Sequence, residues 1–404
     1  MKKAICCILV LLLVCGSVIG CSKKEDNGNP GETGQTSGNK DSEKSDNMDA
    51  EQPKEVKLAL VGPMTGDNSQ YGIQFERGAK EFMEEYNARG GTQLSIDIFD
   101  DKNDAKEAVS LANKIITDGS YAAIIGPFSS TCALAMAEVT DEEKMITVSP
   151  TCSHADYVAL YDYTFRLPHV NAYEGEVAAE YMQNTWSTKK VAGIYSNNDW
   201  GIGIDDAFVN KAEDLGMDVV ANESFIQGQT KDFSSIITKI KQNGAEAVYY
   251  MGQYTEASSV LRQIKDMGLD IEVVITTSAY KLETLELAEG AAADAVFLST
   301  FFEDPDNERT AAFSKLVKDK YDSTLDNFIL RSYEAADWIM QAFDKCQSTD
   351  PDTLRQAMID VGKAGIDGMS GPFTMEDDRN IKRTFYYCKW NGKNGAERGF
   401  ELVK

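Results

Sequence analysis

Histidine is almost absent from this sequence of 404 residues, which contains only His154 and His169. Neither has a second histidine or a cysteine at ligand spacing, so a zinc centre and a histidine-based catalytic triad are both disfavoured. No serine lies in a G-x-S-x-G turn, which leaves a hydrolase without its nucleophile. The sequence therefore predicts that the protein is not an enzyme, and it indicates no metal and no cofactor.

Basic residues are also scarce, because 40 Lys and Arg stand against 65 Asp and Glu. The formal net charge of −25 disfavours nucleic acids and anionic membrane surfaces as direct partners. This excess of acidic residues mainly favours solubility.

The one long apolar run lies at the N-terminus, where two lysines precede residues 4–14. The run is too short for a confident membrane span and is typical of a secretory signal. It ends in VIGC, which resembles the bacterial lipobox and implies cleavage before Cys21 and lipidation of that cysteine. The following residues are almost all polar and predict disorder. We expect a signal peptide at 1–20, a lipid-anchored disordered linker at 21–55, and an extracytoplasmic, membrane-anchored protein.

Four cysteines remain beyond the lipobox, namely Cys132, Cys152, Cys346 and Cys388. They lack the C-x-x-C spacing of a zinc site and allow three different sets of disulfide pairs. Cys132 and Cys152 follow two strands that should be neighbours in one sheet, so we expect them to lie close enough to pair.

From about residue 56, apolar strands alternate with amphipathic helices. The first run includes VKLALVGP, LSIDIFDD, YAAIIGP and MITVSP, and a second run starts at KKVAGIYS. Near-continuous apolar strands separated by helices predict parallel sheets covered on both faces. The two runs predict an α/β protein with two doubly wound parallel-sheet lobes.

Hydroxyl-rich or aromatic turns follow the strands of both runs, and the clearest of them is Ser129-Ser130-Thr131. One hydroxyl is enough to cap the helix that begins there, yet three are present. A helix start also attracts anions, and open parallel sheets bind ligands beyond the carboxyl ends of their strands. These turns therefore predict a binding site for a small solute.

Several segments together resemble the leucine/isoleucine/valine-binding proteins of bacterial ABC importers. They include GPMTGDNSQYGIQFERGAKEFMEEYNARGG, AIIGPFSSTCALA, ITVSPTCS and NNDWGIGIDDAF. The resemblance implies the type I periplasmic-binding fold, with three hinge crossings, a solute held between the lobes and delivery to a membrane permease. It places an N-terminal lobe at 56–171 and 301–370, and a C-terminal lobe at 172–300 and 371–404.

The resemblance also implies a set of ligand-binding residues. In the first lobe, these residues correspond to positions that bind the ligand α-carboxylate or form the wall of the pocket for the ligand side chain. In the second lobe, they correspond to positions that cover the ligand when the lobes close. The carboxylate positions are Ser130, Thr151 and Ser153, the wall positions are Tyr71, Phe128 and Cys152, and the covering positions are Trp200 and Tyr254. Ser129, beside Ser130, is a further candidate for ligand binding.

This chain departs from the family where the carboxylates that hold a ligand ammonium are expected. Those positions carry Asn171 and Ser278, which are uncharged. Glu174 lies one turn beyond Asn171 and can substitute, with Tyr173 as a further contact. The expected ligand is an amino acid, branched-chain or otherwise neutral, or a related small carboxylate. Urea or short amides, aromatic or aliphatic acids, and a ligand-sensing receptor domain stay open as alternatives.

Overall fold

The computed structural model describes residues 55–303, 307–381, 383–395 and 398–403. The predicted signal peptide, the lipidation site Cys21 and the predicted linker up to residue 54 lie outside the described residues. Within the described part, no helix has the length and apolar character needed to cross a bilayer.

The first sheet consists of five parallel strands in the order β2-β1-β3-β4-β5. Its strands are β1 (Glu55–Gly62), β2 (Gln93–Asp100), β3 (Ala123–Ile125), β4 (Thr147–Ser149) and β5 (Thr164–Arg166). The helices that connect them are α1 (Ser69–Ala88), α2 (Ala105–Asp118), α3 (Ser130–Glu142) and α4 (Asp156–Ala159).

The second sheet has a parallel part and an antiparallel edge. Its parallel strands are β6 (Lys190–Ser196), β7 (Asp218–Phe225), β8 (Ala247–Met251), β9 (Glu272–Ile275) and β10 (Val296–Ser299). Its helices are α5 (Asn171–Trp186), α6 (Asp199–Asp214), α7 (Ser234–Asn243), α8 (Tyr254–Asp266) and α9 (Leu282–Leu287).

The C-terminal part of the chain adds three helices, a hairpin and the antiparallel edge. In chain order these are α10 (Glu308–Tyr321), α11 (Asn327–Cys346), α12 (Pro351–Ala364), β11 (Ile366–Gly368), β12 (Gly371–Phe373), β13 (Tyr386–Trp390) and β14 (Phe400–Leu402). Strands β13 and β14 pair antiparallel beside β10, giving the order β14-β13-β10-β9-β8-β6-β7. The predicted fold class, two parallel sheets with helices on both faces, is confirmed. The antiparallel edge was not part of that prediction.

Burial explains why the strands read as continuous apolar runs. Every residue of β3 and of β8 is buried, because helices cover both faces of each sheet. Helix α11 is buried on most of its circumference and packs against α1, α12 and β3. Its N-terminal turn therefore reaches the strand ends of the first sheet from the side opposite to α3.

Polar caps hold three helix starts at the ends of the sheets. Ser129 accepts a hydrogen bond from the Cys132 amide at the start of α3, and Asn198 accepts one from the Gly201 amide at the start of α6. Asp326 accepts bonds from the Phe328 and Ile329 amides in the first turn of α11. Each cap satisfies helix N–H groups that would otherwise lack a partner.

The expectation that Cys132 and Cys152 pair is wrong, because all four described cysteines are free. Cys132 packs with Ala112 and Ile115 of α2 on one side of α3. Cys152 packs with Tyr157 on the other side of that helix, and its Sγ lies 3.6 Å from Ser130 Oγ. Cys132 therefore lies on one side of α3 and Cys152 packs against the other, so the two side chains belong to different layers of the core.

The close crossing of α1 and α11 depends on a glycine, which gives a test of the packing. A Cβ placed on Gly78 would lie 2.0 Å from the carbonyl oxygen of Ile329. We expect Gly78→Ala to lower the free energy of unfolding by about 1–3 kcal/mol, since the helices must move apart. Thermal unfolding measures this change. The control is Glu76→Ala on the same helix, which removes only the ion pair with Lys80 and should lower the free energy of unfolding by at most about 0.5 kcal/mol. Equal losses of stability in the two variants would contradict the role given to the close contact at Gly78.

Candidate ligand-binding site

A cavity lies where the strand ends of the two sheets meet. It is bordered by the starts of α3, α6 and α11 and by the turns after β4 and β9. The residues that line it are Phe128, Ser129, Ser130, Thr131, Thr151, Ser153, Pro168, His169, Glu174, Asn198, Trp200, Gln253, Thr277, Ser278, Asn327, Phe328 and Arg331.

Hydroxyl groups form the side of the cavity next to the first sheet. Thr151 Oγ1 donates to the Phe128 carbonyl oxygen at 2.6 Å, and that bond fixes the turn after β4 beside the start of α3. Ser130 is 2 % exposed and Ser153 is 3 % exposed, yet Ser153 Oγ has no hydrogen-bond partner among the described residues. This side can therefore donate to an acceptor that enters the cavity.

Three lining side chains carry buried polar atoms without a protein partner in the described part of the chain. These atoms are Ser153 Oγ, both ring nitrogens of His169 and Gln253 Oε1. A buried polar atom left without a hydrogen bond costs about 1–3 kcal/mol, so such atoms are rare in folded proteins. Their convergence on one cavity indicates that a polar solute or ordered water completes them.

Glu174 is the carboxylate that lines the cavity, and the protein holds it tightly. Its Oε1 accepts from Thr276 Oγ1 at 2.5 Å and from the Thr277 amide at 2.7 Å, and its Oε2 accepts from Thr277 Oγ1 at 3.1 Å. Burial opposes ionisation, but the interaction with His169 and the bonds from both threonines outweigh it. Together they hold the pKa of Glu174 below its usual range.

Two further ionisable side chains face the same space. Burial is the main cause that lowers the pKa of His169, whose Nε2 lies 3.7 Å from Glu174 Oε2, so the imidazole is neutral at neutral pH. Burial, with the nearby Arg383 cation, also lowers the pKa of Arg331 to about 9. Arg331 therefore remains a cation at neutral pH, and the cavity contains one anion and one cation.

Aromatic rings close the remaining wall. Phe128 stacks on Tyr71 with 4.1 Å between ring centroids, and Phe328 meets Tyr71 edge-on at 4.8 Å. The Tyr71 hydroxyl donates to the Ser278 carbonyl oxygen at 3.0 Å and accepts from the Tyr254 amide at 3.3 Å. Tyr71 thus joins a helix of the first sheet to two turns of the second.

The structure brings eight of the thirteen predicted site residues together in the cavity wall. These are Phe128, Ser129, Ser130, Thr151, Ser153, Glu174, Trp200 and Ser278. Their roles in ligand binding stay predictions.

The other five predicted site residues do not line the cavity. Tyr71 is completely buried behind Phe128, and Cys152 is buried behind Ser130. Asn171 donates to the Trp200 carbonyl oxygen at 3.2 Å, and the Tyr254 hydroxyl donates to the Asp67 carbonyl oxygen at 3.3 Å. Tyr173 is 39 % exposed and contacts the rings of Phe385 and His169.

Several lining residues were not predicted as site residues. Thr131, Asn198, Gln253 and Thr277 lie in the same strand-end turns that the sequence already marks, so a broader reading of each turn would include them. No pattern in the sequence marks the other five, which are Pro168, His169, Asn327, Phe328 and Arg331. The last three lie on α11, whose apolar residues are spaced as in a helix of the core.

Comparison with known proteins decides the family. The model of the periplasmic binding protein family matches residues 55–396. The chain belongs to this family. The Leu/Ile/Val-binding protein homolog 1 of Brucella abortus is 32 % identical to this chain over 356 residues, and the match covers 85 % of this chain and 93 % of the Brucella protein.

Two solved structures of this family share the fold. A leucine-binding protein of Thermotoga maritima superimposes with a TM-score of 0.79 at 22 % identity, over 86 % of this chain and 98 % of its own. A solute-binding protein of an ABC transporter from R. palustris, in complex with benzoate, gives 0.77 at 20 % identity, over 86 % and 95 %. The resemblance drawn from the sequence is confirmed, and so is the prediction that this periplasmic binding protein is not an enzyme.

The hydrogen bonds of Glu174 predict a pH-dependent stability. Because the folded-state pKa lies below the unfolded value of about 4.3, the ionised carboxylate stabilises the fold above that pH, and the contribution is lost as the pH falls through the folded pKa. Glu174→Gln should therefore be less stable than wild type by about 1–3 kcal/mol near pH 7. The difference in stability between the two proteins should shrink as the pH falls below about 4.3. Urea unfolding between pH 3 and 7 tests this, and a constant difference at every pH would contradict it.

Proposed function

We propose that the protein captures a small solute bearing a carboxylate, foremost an amino acid, and delivers it to the permease of an ABC importer. One observation carries this proposal: buried polar atoms of Ser153, His169 and Gln253 lack partners and converge on one cavity. Membership of the periplasmic binding protein family supports the proposal. The place of the cavity supports it too, since open parallel sheets bind ligands beyond the carboxyl ends of their strands.

The start of α3 is the proposed site of the carboxylate. Ser129 and Ser130 lie there, and Ser153 faces the same space with a free hydroxyl. The helix start contributes a positive partial charge and N–H groups that favour an anion. Each charge-assisted hydrogen bond contributes about 1.5–3 kcal/mol, so two or three of them offset the desolvation of a carboxylate.

Glu174 is the proposed counter-charge for a ligand ammonium. The two positions where the family resemblance leads us to expect a carboxylate hold Ser278 and Asn171, and Asn171 does not reach the cavity. Glu174 lines the cavity as an ionised group and thus replaces the missing charge. This favours an amino acid over urea or a neutral amide.

An aromatic acid is the second candidate ligand. Phe128, Trp200 and Phe328 line the cavity, and flat rings stack well on such side chains. The R. palustris protein described above was solved in complex with benzoate. A ligand of this kind would use the carboxylate site at α3 and would leave Glu174 without a cation.

Two hydrogen bonds across the mouth of the cavity would help to keep a bound solute inside. Thr131 Oγ1 donates to Asp199 Oδ2 at 2.8 Å, linking the starts of α3 and α6. Tyr254 reaches the loop after β1 through its bond to Asp67. A solute can stabilise this closed arrangement only by binding it more tightly than an open one. Trp200, at the start of α6, would then cover the bound solute.

The remaining parts of the proposal concern location and partners. The folded part lies outside the cytoplasm, is tethered through a lipid on Cys21, and meets membrane permease subunits. The lipobox-like VIGC sequence and the polar residues after it support the anchor. A nucleic acid is not among the proposed partners because the net charge is strongly negative.

The unpartnered Ser153 hydroxyl gives a direct test of the site. We expect Ser153→Ala to weaken binding by about 10- to 150-fold, which corresponds to about 1.5–3 kcal/mol for one hydrogen bond to a carboxylate. Stability without ligand should change little, because no protein group loses a partner. Isothermal calorimetry with leucine, glutamine, glutamate and benzoate, together with thermal unfolding, measures both effects.

A second serine serves as the matched control. Ser258 is buried on α8 and donates to the carbonyl oxygens of Tyr254 and Thr284, away from the cavity wall. Ser258→Ala should lower the free energy of unfolding by about 1 kcal/mol and leave the affinity unchanged. The site assignment would fail if Ser153→Ala bound the solutes as tightly as the wild-type protein.

The lipid anchor has its own test. When the full chain is produced in a bacterium, we expect it to enter the detergent phase in a detergent partition experiment. Cys21→Ala should move to the aqueous phase, because a lipid chain gains about 0.8 kcal/mol for each buried CH₂ group. Cys346→Ala, a change within the folded part, should partition as the wild type does. Detergent-phase recovery of Cys21→Ala would argue against lipidation at this residue.

A further inference from the structure

One cation in the cavity wall lacks a counter-ion. Arg331 lies on α11 beside Asn327 and Phe328 and is 6 % exposed. Its guanidinium donates to Thr300 Oγ1, and no carboxylate oxygen of the described residues lies within 4.0 Å of it. A guanidinium has five N–H donors, so one hydroxyl partner leaves most of them unused.

The nearby carboxylates are occupied by other groups. Glu334 pairs with Arg383 at 2.8 Å and also accepts from the amide and the hydroxyl of Ser370. Glu174 is held by the threonine donors described above, and it acts on Arg331 only at longer range. Because Arg383 is also a cation, it adds repulsion to the burial cost that Arg331 already bears.

The rest of the cavity wall adds to this positive character. The starts of α3, α6 and α11 border the cavity, and each contributes a positive partial charge. Because His169 is neutral, Glu174 and Arg331 are the only charged side chains among the lining residues; their charges balance, so the helix starts give the wall its positive character. The wall therefore favours a solute with net negative charge over a zwitterion with an apolar side chain.

We propose that the solute carries a second acidic group, which binds Arg331. This inference rests on the proposed function, since the start of α3 and Ser153 already account for one carboxylate. The ligand class is then a short dicarboxylic solute, either an acidic amino acid whose ammonium faces Glu174 or a plain dicarboxylic acid. A leucine-like side chain would leave the buried guanidinium without a partner.

Calorimetry with matched solutes tests the second acid. Glutamate, aspartate, glutarate and succinate form the diacid arm, and leucine, glutamine and benzoate form the monoacid arm. The sharpest pair is glutamate and glutamine, which differ by one acidic group at nearly constant size. The tightest diacid should bind the wild-type protein at least tenfold more tightly than any monoacid.

Variants of Arg331 connect that preference to the residue. Arg331→Met should weaken binding of the diacids at least tenfold and leave the monoacids unchanged or tighter, while Arg331→Lys should retain part of the preference. Arg262→Met removes a surface arginine of α8 and should change neither arm. Arg331→Met should melt without solute close to the wild-type temperature, because it removes a buried charge that has no ion-pair partner within 4.0 Å, so a loss of binding would not reflect a failure to fold.

The outcomes separate this inference from the proposed function. If a monoacid binds more tightly than every diacid, or if Arg331→Met leaves diacid affinity unchanged, the second-acid site is overturned while carboxylate capture stands. If no solute of either arm binds, or if Ser153→Ala binds them as wild type does, the proposed function itself is overturned.

Discussion

The site depends on one constraint of chain direction. In both sheets the parallel strands run towards the cavity, so the helices that follow them start there with their N–H groups exposed. The protein must supply acceptors for these groups, and it does so with Ser129, Asn198 and Asp326. The space between the capped ends is thus electropositive before any charged side chain is considered. A negatively charged solute is what such an arrangement accommodates at least cost.

The two charged side chains of the cavity wall differ in how many of their hydrogen-bonding groups have a protein partner. Glu174 has three donors from Thr276 and Thr277, so it is a fixed anion and not a group waiting for a proton. Arg331 has one hydroxyl partner and faces open space. A complete hydrogen-bond set rigidifies a buried charge, whereas an incomplete set marks where a ligand must contribute. Glu174 is thus a fixed anion that a ligand ammonium can approach, whereas the Arg331 cation still lacks an anionic partner.

The sequence could predict much of the fold and about half of the cavity wall, for physical reasons. Alternating strands and helices indicate parallel sheets, and strand ends lie at one edge of a sheet, so Ser130, Ser153 and Trp200 could be found from local patterns alone. Arg331 could not, because it lies near the start of a segment whose apolar spacing is that of a buried core helix. Only the packing of α11 against the first sheet brings that residue to the strand ends.

Residues behind the wall matter for a different reason than those that line it. The sequence predicts that Tyr71, Cys152 and Asn171 touch a ligand, yet they contact lining residues instead. Tyr254, predicted in the same way, contacts Tyr71. Tyr71 is the clearest case, since its ring packs on Phe128 while its hydroxyl joins turns of the second sheet. Both contacts exist together only when the two sets of strand ends are close. Under the proposed function, the geometry of the aromatic wall is tied to closure, and a solute that fits this wall would also favour the closed arrangement.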